Sequence, residues 1–230
     1  MIRLKAMRFE QSEYASQPLL SKETVRKKSI YLFTKRIMDL FGGFLGLLLL
    51  LPVFIVVAIL IKLEDPKGPV FFYQIRVGKE GKEFKMYKFR SMVTDAEDRL
   101  KELLQYNEVS GAMFKMKDDP RITKIGKFIR RTSIDELPQL FNVISGNMSL
   151  VGPRPPLPRE VLEYSNYDKQ RLLVVPGCTG LWQVSGRNHL NFNQMVELDI
   201  QYIIKRTLLF DIVIIFKTVI MIFKTNDGAY

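Results

Sequence analysis

The sequence predicts an α+β protein, in which a re-entrant membrane helix hairpin precedes a small, mainly helical domain with a β-hairpin and interfacial amphipathic helices. Three observations predict this fold class. Residues 40–61 form a run of 22 residues without a charge, interrupted by Pro52. Two segments of strand-like composition surround a glycine-containing turn, which is typical of a β-hairpin. Several later segments repeat apolar residues at helical spacing.

The uncharged run is long enough to cross a hydrocarbon core of roughly 30 Å as a helix. Basic residues precede and follow it, which indicates that both ends lie on the cytoplasmic side. Pro52 removes a backbone donor and clashes with the carbonyl of Leu48, so it offers a place for the helix to bend back. We therefore favour a re-entrant segment, and a proline-kinked spanning helix is the alternative. The basic residues concerned are Lys22, Arg26, Lys27, Lys28, Lys35, Arg36, Lys62, Lys67, Arg76, Lys79 and Lys82.

Composition narrows the partners and the chemistry. The formal net charge of +11 indicates an anionic partner such as lipid headgroups, nucleotide phosphates or nucleic acid, and the apolar run favours membrane lipids. Cys178 and His189 are single residues of their kinds, which excludes an internal disulfide and a Cys/His zinc site. Any metal must therefore be a hard ion held by oxygen ligands. We expect a basic tail at residues 1–30, the membrane helix at 31–63 and a cytoplasmic, membrane-associated domain at 64–230.

The domain after the membrane segment is predicted element by element from its local patterns. The predicted elements are strands at residues 70–76 and 84–90 around a turn at 78–81, a polar helix at 95–106, a basic-faced helix from Thr123, a helix with Leu137, Leu140, Phe141 and Ile144 that ends before Gly146, and a final helix at 208–223. The final helix is too short and too polar to span a membrane, and it fits either the membrane interface or the core.

The start of the helix that ends before Gly146 has two possible registers. Ser133 can cap it with Glu136 three residues on, as a capping box. Alternatively, Asp135 is the cap and Pro138 lies in the first turn, where its missing N–H costs little. Pro138 favours the second register.

Asp135 and Glu136 are the strongest candidates for chemistry. At a helix start, unpaired N–H groups stabilise ionised carboxylates and attract phosphate. The cations Arg130, Arg131 and Arg154 would screen the charge of a phosphate group, so that a carboxylate can approach it. This arrangement suits phosphoryl transfer with a hard divalent ion. Taken alone, such a pair is far more often an ordinary helix cap.

Four segments carry a resemblance to a known family. They read KMYKFRSM at residues 85–92, DPRIT at 119–123, RRTSIDELPQLFNVISGNMSLVGPRP at 130–155 and PGCTGLWQVSGRN at 176–188. These segments resemble the bacterial sugar transferase family in its small form, the monotopic polyprenyl-phosphate phosphoglycosyl transferases. The resemblance runs from about residue 31 to the C-terminus. It implies a re-entrant membrane helix broken at Pro52, although Leu51 replaces a serine that some members carry.

The resemblance implies a mechanism and its residues. Asp135 would attack the sugar-linked phosphorus of a UDP-sugar, expel UMP and hold the phospho-sugar covalently, before polyprenyl (undecaprenyl) phosphate takes it as a polyprenyl-diphosphate sugar. Glu136 corresponds to a second acid that binds metal or moves a proton. The implied cofactor is Mg²⁺, held by Asp135 and Glu136. The residues implied to bind phosphate or substrate are Lys88, Arg130, Arg154 and Arg187.

The resemblance also implies a place in the cell and a pathway step. The protein would lie in the bacterial inner (cytoplasmic) membrane with its active site facing the cytoplasm, because the lipid phosphate lies at headgroup depth and the sugar nucleotide is cytosolic. It would catalyse the first membrane step of surface glycoconjugate synthesis, as for exopolysaccharide, lipopolysaccharide or capsule. The expected partners are a UDP-sugar, polyprenyl phosphate and membrane lipids. The sugar and the oligomeric state stay open.

Three other functions would each explain part of the sequence. An inverting glycosyltransferase would use Asp118 and Asp119 as metal ligands and form no covalent intermediate. A membrane adaptor without activity would explain the apolar run and the charge, but not two carboxylates set among arginines. Nucleic-acid binding would use the basic residues 124–131, but no aromatic-rich recognition motif accompanies them, so no nucleic-acid partner is expected.

Overall fold

The computed structural model describes residues 19–20, 25, 29–103, 105, 116, 118–186 and 190–224. The predicted tail at residues 1–30 therefore lies almost wholly outside the described residues. The helices are α1 (Ser29–Glu64), α2 (Ala96–Leu103), α3 (Lys124–Arg131), α4 (Gln139–Ser145), α5 (Pro158–Leu162), α6 (Phe192–Lys205) and α7 (Leu208–Lys224). The strands are β1 (Phe71–Val77), β2 (Glu83–Phe89), β3 (Ser149–Val151) and β4 (Gly177–Thr179). Short 3₁₀ turns lie at Lys79–Gly81, Ile134–Glu136 and Asp168–Leu173.

Helix α1 contains the whole uncharged run. It is helical for 36 residues, and Pro52 lies inside it without ending it. Two separate helical arms are therefore not seen in this segment, and the re-entrant arrangement stays a prediction. By length and composition α1 could cross a membrane, and only 17% of its most apolar window is buried in the protein. A core helix of a soluble protein would be mostly buried, so α1 is suited to contact lipid.

One side of α1 packs on the rest of the chain near its beginning. Arg36 donates hydrogen bonds to the carbonyls of Val143 and Ile144, both at 2.7 Å, at the C-terminal end of α4. Asp39 is buried and accepts hydrogen bonds from the Ser149 hydroxyl at 2.9 Å and the Leu150 N–H at 3.0 Å. These contacts join α1 to α4 and β3.

The second half of α1 packs on the same domain. The Phe54 ring lies 5.0 Å from the ring centroid of Phe89 and 6.1 Å from that of Phe141. At the end of the helix, Glu64 accepts hydrogen bonds from the backbone N–H groups of Lys124 and Ile125 at 2.8 and 3.1 Å, and so caps α3. Both halves of α1 thus contact one domain.

The opposite side of α1 is apolar and exposed. Most of its side chains there have half or more of their surface uncovered. The residues are Phe41, Phe44, Leu48, Leu49, Leu51, Ile55, Val56, Ile59 and Leu63. An exposed apolar surface of this size is typical of contact with membrane or another protein.

Strands β1 and β2 form the predicted antiparallel hairpin, each displaced by one residue from its predicted bounds. In the observed register Phe72 lies opposite Lys88 and Arg76 lies opposite Phe84. Because side chains alternate between the two faces of a strand, Arg76 and Lys88 share one face of the hairpin. The turn contains Glu80 at a φ of 58°.

The parallel pair β3 and β4 brings two of the sequence motifs together. Gly152 donates a backbone hydrogen bond to Thr179 at 2.8 Å, and Gly177 donates one to the carbonyl of Pro153 at 2.9 Å. A Cβ on Gly177 would meet the nitrogen of Gly152 at 2.0 Å, so only glycine permits this approach. The loop that carries Arg154 is therefore fixed directly against β4.

Helix α7 packs against the core on one side, and its placement at a membrane interface stays a prediction. Its inner side is buried at Asp211 and Ile214, and Lys35 of α1 forms an ion pair with Asp211 at 2.9 Å. The Tyr202 hydroxyl of α6 donates to Asp211 at 2.8 Å, which adds α6 to this junction. Its outer side is apolar and exposed at Leu209, Ile212, Val213, Phe216, Val219 and Ile220. The helix is thus a core element on one side and has an apolar surface on the other.

Helices α2 and α3 agree with their predictions as far as they are described. Helix α2 begins at Ala96, one residue after the predicted start, and the predicted end at Tyr106 lies outside the described residues. Helix α3 is capped by the Thr123 hydroxyl, which accepts a hydrogen bond from the N–H of Gly126 at 2.9 Å. Gly146 ends α4 at a φ of 85°, as the predicted glycine stop requires.

Candidate active site

The acidic pair lies in a turn and not at an α-helix cap. After α3, Ser133 adopts a left-handed conformation with a φ of 56°, and its side chain makes no capping hydrogen bond. Asp135 and Glu136 follow in a 3₁₀ turn, and the α-helix begins only at Gln139, with Pro138 in the cap position. Both predicted registers are therefore wrong. A left-handed serine is strained, and such strain is often found at functional sites.

Among the residues that the structure describes, Lys88 is within ion-pair distance of both carboxylates. Its Nζ lies 2.8 Å from Oε1 of Glu136 and 4.0 Å from Oδ2 of Asp135. Asn142 fixes the strand that carries Lys88, because its amide donates to the carbonyl of Lys85 at 2.7 Å and accepts from the N–H of Tyr87 at 3.0 Å. Helix α4 thus holds Lys88 beside the acidic turn.

Asp135 is buried, with 7% of its surface exposed. The pKa of Asp135 is raised to about 6; burial is the largest cause, Lys88 and Arg130 oppose the rise, and the charge of Glu136 contributes to it. The expectation that the helix-start field would dominate and favour the ionised form is therefore wrong. Loss of water outweighs the nearby cations. At neutral pH Asp135 is still ionised in most molecules, but its carboxylate is poorly solvated.

The structure places only some of the predicted cations near the two carboxylates. Arg130 is half-buried at the end of α3, and its charge lowers the pKa of both Asp135 and Asp119. Arg154 is half-buried in the proline loop, and among the described residues it has no ion-pair contact. Arg187 lies outside the described residues.

Arg76 belongs to the site although sequence reasoning treated it only as a flanking charge. It is buried, and its Nη1 donates to the carbonyl of Pro155 at 3.1 Å. Its pKa is lowered to about 10, first by burial and then by the charge of Arg154, while Glu160 and Glu136 act in the opposite direction. The signal in the sequence was its position in the predicted hairpin, since alternation puts it on the same face as Lys88.

The alternative metal ligands Asp118 and Asp119 are placed unfavourably. Asp119 is buried and accepts hydrogen bonds from Nε and Nη2 of Arg121, at 2.9 Å to Oδ1 and 2.7 Å to Oδ2. Asp118 is exposed. Both oxygens of Asp119 are thus engaged by a guanidinium, so this pair does not offer a ready cation site.

Asp135 and Glu136 fit a hard divalent ion better. Within the described part of the chain, no group of three or more His, Cys, Asp or Glu side chains could hold a metal. Mg²⁺ needs no such group, because it is commonly bound by one or two carboxylates together with substrate phosphates. Two adjacent carboxylates, one of them buried with a raised pKa, supply oxygen donors that a cation would stabilise.

Comparisons of the sequence with known proteins identify the family. A family model described as bacterial sugar transferase matches residues 30–225. The chain belongs to the bacterial sugar transferase family. The matched region includes α1, the hairpin, the acidic turn and the proline loop, so every described candidate residue lies within the family region.

Curated members of the family are similar along most of this chain. Galactosyl transferase CpsE of Streptococcus agalactiae is 50% identical over 194 residues, which are 83% of this chain and 42% of that protein. The undecaprenyl-phosphate galactose phosphotransferase of Salmonella typhimurium is 45% identical over 202 residues, 86% of this chain and 42% of that protein. The exopolysaccharide production protein ExoY of Rhizobium meliloti is 40% identical over 210 residues, 89% and 92% of the two chains. The chain thus spans less than half the length of the first two relatives.

Proposed function

We propose that this sugar transferase family member moves a sugar 1-phosphate from a UDP-sugar to undecaprenyl phosphate or a similar polyprenyl phosphate. The observation that carries the proposal is the buried Asp135, set 4.0 Å from Lys88 in the acidic turn of a family-matched region. Two relatives support the same reaction class by their names. The Salmonella relative is named for undecaprenyl phosphate and galactose, and CpsE is named a galactosyl transferase.

In the proposed first step, an oxygen of Asp135 attacks the phosphorus that bears the sugar. A bond forms between the carboxylate and this phosphorus, the bond to the bridging diphosphate oxygen breaks, and UMP leaves with the electron pair of that bond. In the second step, an oxygen of polyprenyl phosphate attacks the same phosphorus and releases the carboxylate. The products are a polyprenyl-diphosphate sugar and UMP, and the enzyme is regenerated.

The side chains around Asp135 suit both steps. A poorly solvated carboxylate with a raised pKa is a better nucleophile than a fully hydrated one. Lys88 and Arg130 place positive charge where an anionic carboxylate must approach an anionic diphosphate. Glu136 binds Lys88 at 2.8 Å and so orients it, and it is the second carboxylate available for a metal or a proton.

Mg²⁺ is the proposed cofactor, with Asp135 and Glu136 as the residues that would hold it. When bound, it would neutralise charge on the diphosphate and on the leaving UMP. Arg154 on the proline loop is a proposed phosphate ligand, and Arg187 is a proposed nucleotide ligand.

The proposed site lies on the cytoplasmic surface of the inner membrane. Both halves of α1 contact the same domain, at Arg36 and at Phe54, while the other side of the helix is apolar and exposed. This supports an α1 that dips into the membrane and does not carry the domain across it. Such placement brings a water-soluble nucleotide and a lipid phosphate to one surface.

The donor sugar is proposed as a hexose, with UDP-galactose the first to be tried, because two of the relatives carry galactose in their names. The name of ExoY, whose length this chain nearly covers, supports a role in exopolysaccharide production. The proposed pathway step is the first membrane step of such a surface polymer.

The proposal is tested with purified, detergent-solubilised protein, a panel of UDP-sugars and undecaprenyl phosphate, by measuring UMP release. Radiolabelled UDP-galactose without the lipid acceptor should label wild-type protein on Asp135, and Asp135→Asn should abolish both labelling and turnover. Release of UDP in place of UMP, without a trapped intermediate, would favour an inverting glycosyltransferase instead. Near-normal turnover in folded Asp135→Asn would exclude Asp135 as nucleophile.

A further inference from the structure

The hairpin holds the proline loop through two consecutive residues of β1. The Nη1 of Arg76 donates to the carbonyl of Pro155 at 3.1 Å, and the N–H of Val77 donates to the carbonyl of Pro156 at 2.9 Å. The Nη2 of Arg76 donates to Oε1 of Gln74 at 2.6 Å. Arg76 is thus fixed by its own strand and grips the loop from the face that also carries Lys88.

Arg154 directly precedes Pro155, the residue whose carbonyl group Arg76 binds. Three of its four nearest neighbours in the chain are prolines, whose fixed φ angles leave the loop few alternative conformations. A shift at Pro155 is therefore passed on to the backbone of Arg154. Because the guanidinium of Arg154 has no ion-pair contact in the described part of the chain, little else fixes where it points.

The burial of Arg76 destabilises the folded protein. Only 5% of its surface is exposed, its Nε has no hydrogen-bond partner among the described residues, and no carboxylate there is in ion-pair contact with it. A buried guanidinium without a direct counter-ion destabilises a fold. The charge of Arg154 lowers the pKa of Arg76, and that of Glu136 raises it, so this residue lies in the field of two site residues.

We propose that Arg76 is a positioning residue that holds Arg154 toward the diphosphate of the sugar nucleotide by gripping the carbonyl of Pro155. This inference rests on the proposed function for the identity of the diphosphate substrate. It assigns to Arg76 an effect on phospho-sugar transfer that passes through Arg154.

A double-mutant cycle tests this dependence. Arg154→Met is expected to lower kcat/KM about a hundredfold and Arg76→Met about tenfold, because the loop would lose one of its two hydrogen bonds to β1. The double variant should be within about threefold of Arg154→Met alone, since a residue that acts through Arg154 has nothing left to position. Should the double variant instead lose the product of the two single effects, about a thousandfold, Arg76 does not act through Arg154.

Arg90 provides the matched control. It is a second buried hairpin arginine, whose Nε donates to the carbonyl of Pro69 at 2.6 Å and whose guanidinium pairs with Asp65. Arg90→Met removes the same volume and charge but touches neither Arg154 nor its loop. Its effect should multiply with that of Arg154→Met. If Arg76→Met does not fold, Arg76→Lys takes its place in the cycle, and the same non-additivity is required.

Binding of UDP, measured by calorimetry, separates this inference from the proposed function. The three variants of the cycle, Arg154→Met, Arg76→Met and the double variant, should show non-additive losses in UDP affinity relative to wild type. If wild-type protein binds UDP with this pattern but releases no UMP from any UDP-sugar, the proposed function fails and the inference stands. If UMP is released and both sets of effects are additive, the inference fails and the proposed function stands. A wild-type protein that binds no UDP overturns the inference.

Discussion

Removal of Lys88 should move the pH dependence of the enzyme, because Lys88 holds down the pKa of Asp135, the proposed nucleophile. The Asp135 pKa is raised to about 6 by burial, and Lys88 is the strongest influence in the opposite direction. Their charged atoms lie 4.0 Å apart. At that distance, with an effective dielectric constant of about 20, the attraction is about 4 kcal/mol, which corresponds to about 3 pKa units.

The expected shift is smaller than this upper value. Lys88 makes its shorter contact, 2.8 Å, with Glu136, and that carboxylate partly cancels the field of Lys88 at Asp135. We expect Lys88→Met to raise the Asp135 pKa by about 1 to 2 units, to about 7 to 8. At pH 6 the ionised fraction of Asp135 would then fall about 5- to 50-fold below that of the wild type, whereas at pH 9 it would hardly change.

The assay is the pH dependence of kcat/KM for UMP release, which reports the pKa of the free enzyme. The acidic limb should move from about pH 6 in the wild type to about pH 7 to 8 in Lys88→Met. Lys85→Met is the matched control, because Lys85 lies on the opposite face of the hairpin, over the ring of Tyr73 at 4.5 Å. An acidic limb that stays in place in Lys88→Met would refute the electrostatic role, even if overall activity fell.

Three further predictions follow from the same structure. Arg154→Lys should lose about a hundredfold in kcat/KM with little change in melting temperature, because lysine cannot donate two parallel hydrogen bonds to a phosphate. A lower melting temperature with unchanged kcat/KM would show that Arg154 has only a structural role. Asp135→Asn should be about 1 to 3 kcal/mol more stable than wild type at pH 8 and no more stable at pH 4. The pKa of Asp135 is about 6 in the folded state and lower in the unfolded state, so the wild-type protein loses stability as the pH rises through 6. Equal melting curves of the two proteins at pH 8 would contradict this. Cysteines at Ser29 and Lys82, without the native cysteine, should both resist an impermeant thiol reagent in intact cells; labelling of position 29 alone would show that α1 crosses the membrane.

The elements governed by local pattern were predicted most accurately. The hairpin was displaced by a single residue, because alternation and the glycine turn act over short distances. Gly146 ended α4 as expected for a left-handed glycine stop. The buried contact of Asp39 with Ser149 was not predicted, because it joins residues 110 positions apart and leaves no local pattern.

The start of α4 shows where the local rules failed. Ser133 and Asp135 are both good capping residues, and each supported a register in which the α-helix begins early. In the structure Ser133 adopts the left-handed conformation and Asp135 lies in a 3₁₀ turn. The turn is packed under α1 and beside Lys88, and these tertiary contacts override the capping preference. The helix-cap conformation predicted for the acidic pair was therefore wrong, and its role as the catalytic pair stays a prediction.

The distances from Lys88 explain why two acidic residues serve this site better than one. If Lys88 paired directly with Asp135, it would stabilise the ground state of the nucleophile and would have to release it before the attack on phosphorus. Glu136 takes the 2.8 Å contact instead and leaves Lys88 4.0 Å from Asp135. The cation then lowers the pKa of Asp135 enough for ionisation at neutral pH, and stays close to the space that an incoming phosphate must enter. Glu136→Gln should free Lys88 to bind Asp135 directly, so the variant should lose activity while the pKa of Asp135, read from the acidic limb of kcat/KM, falls below 6.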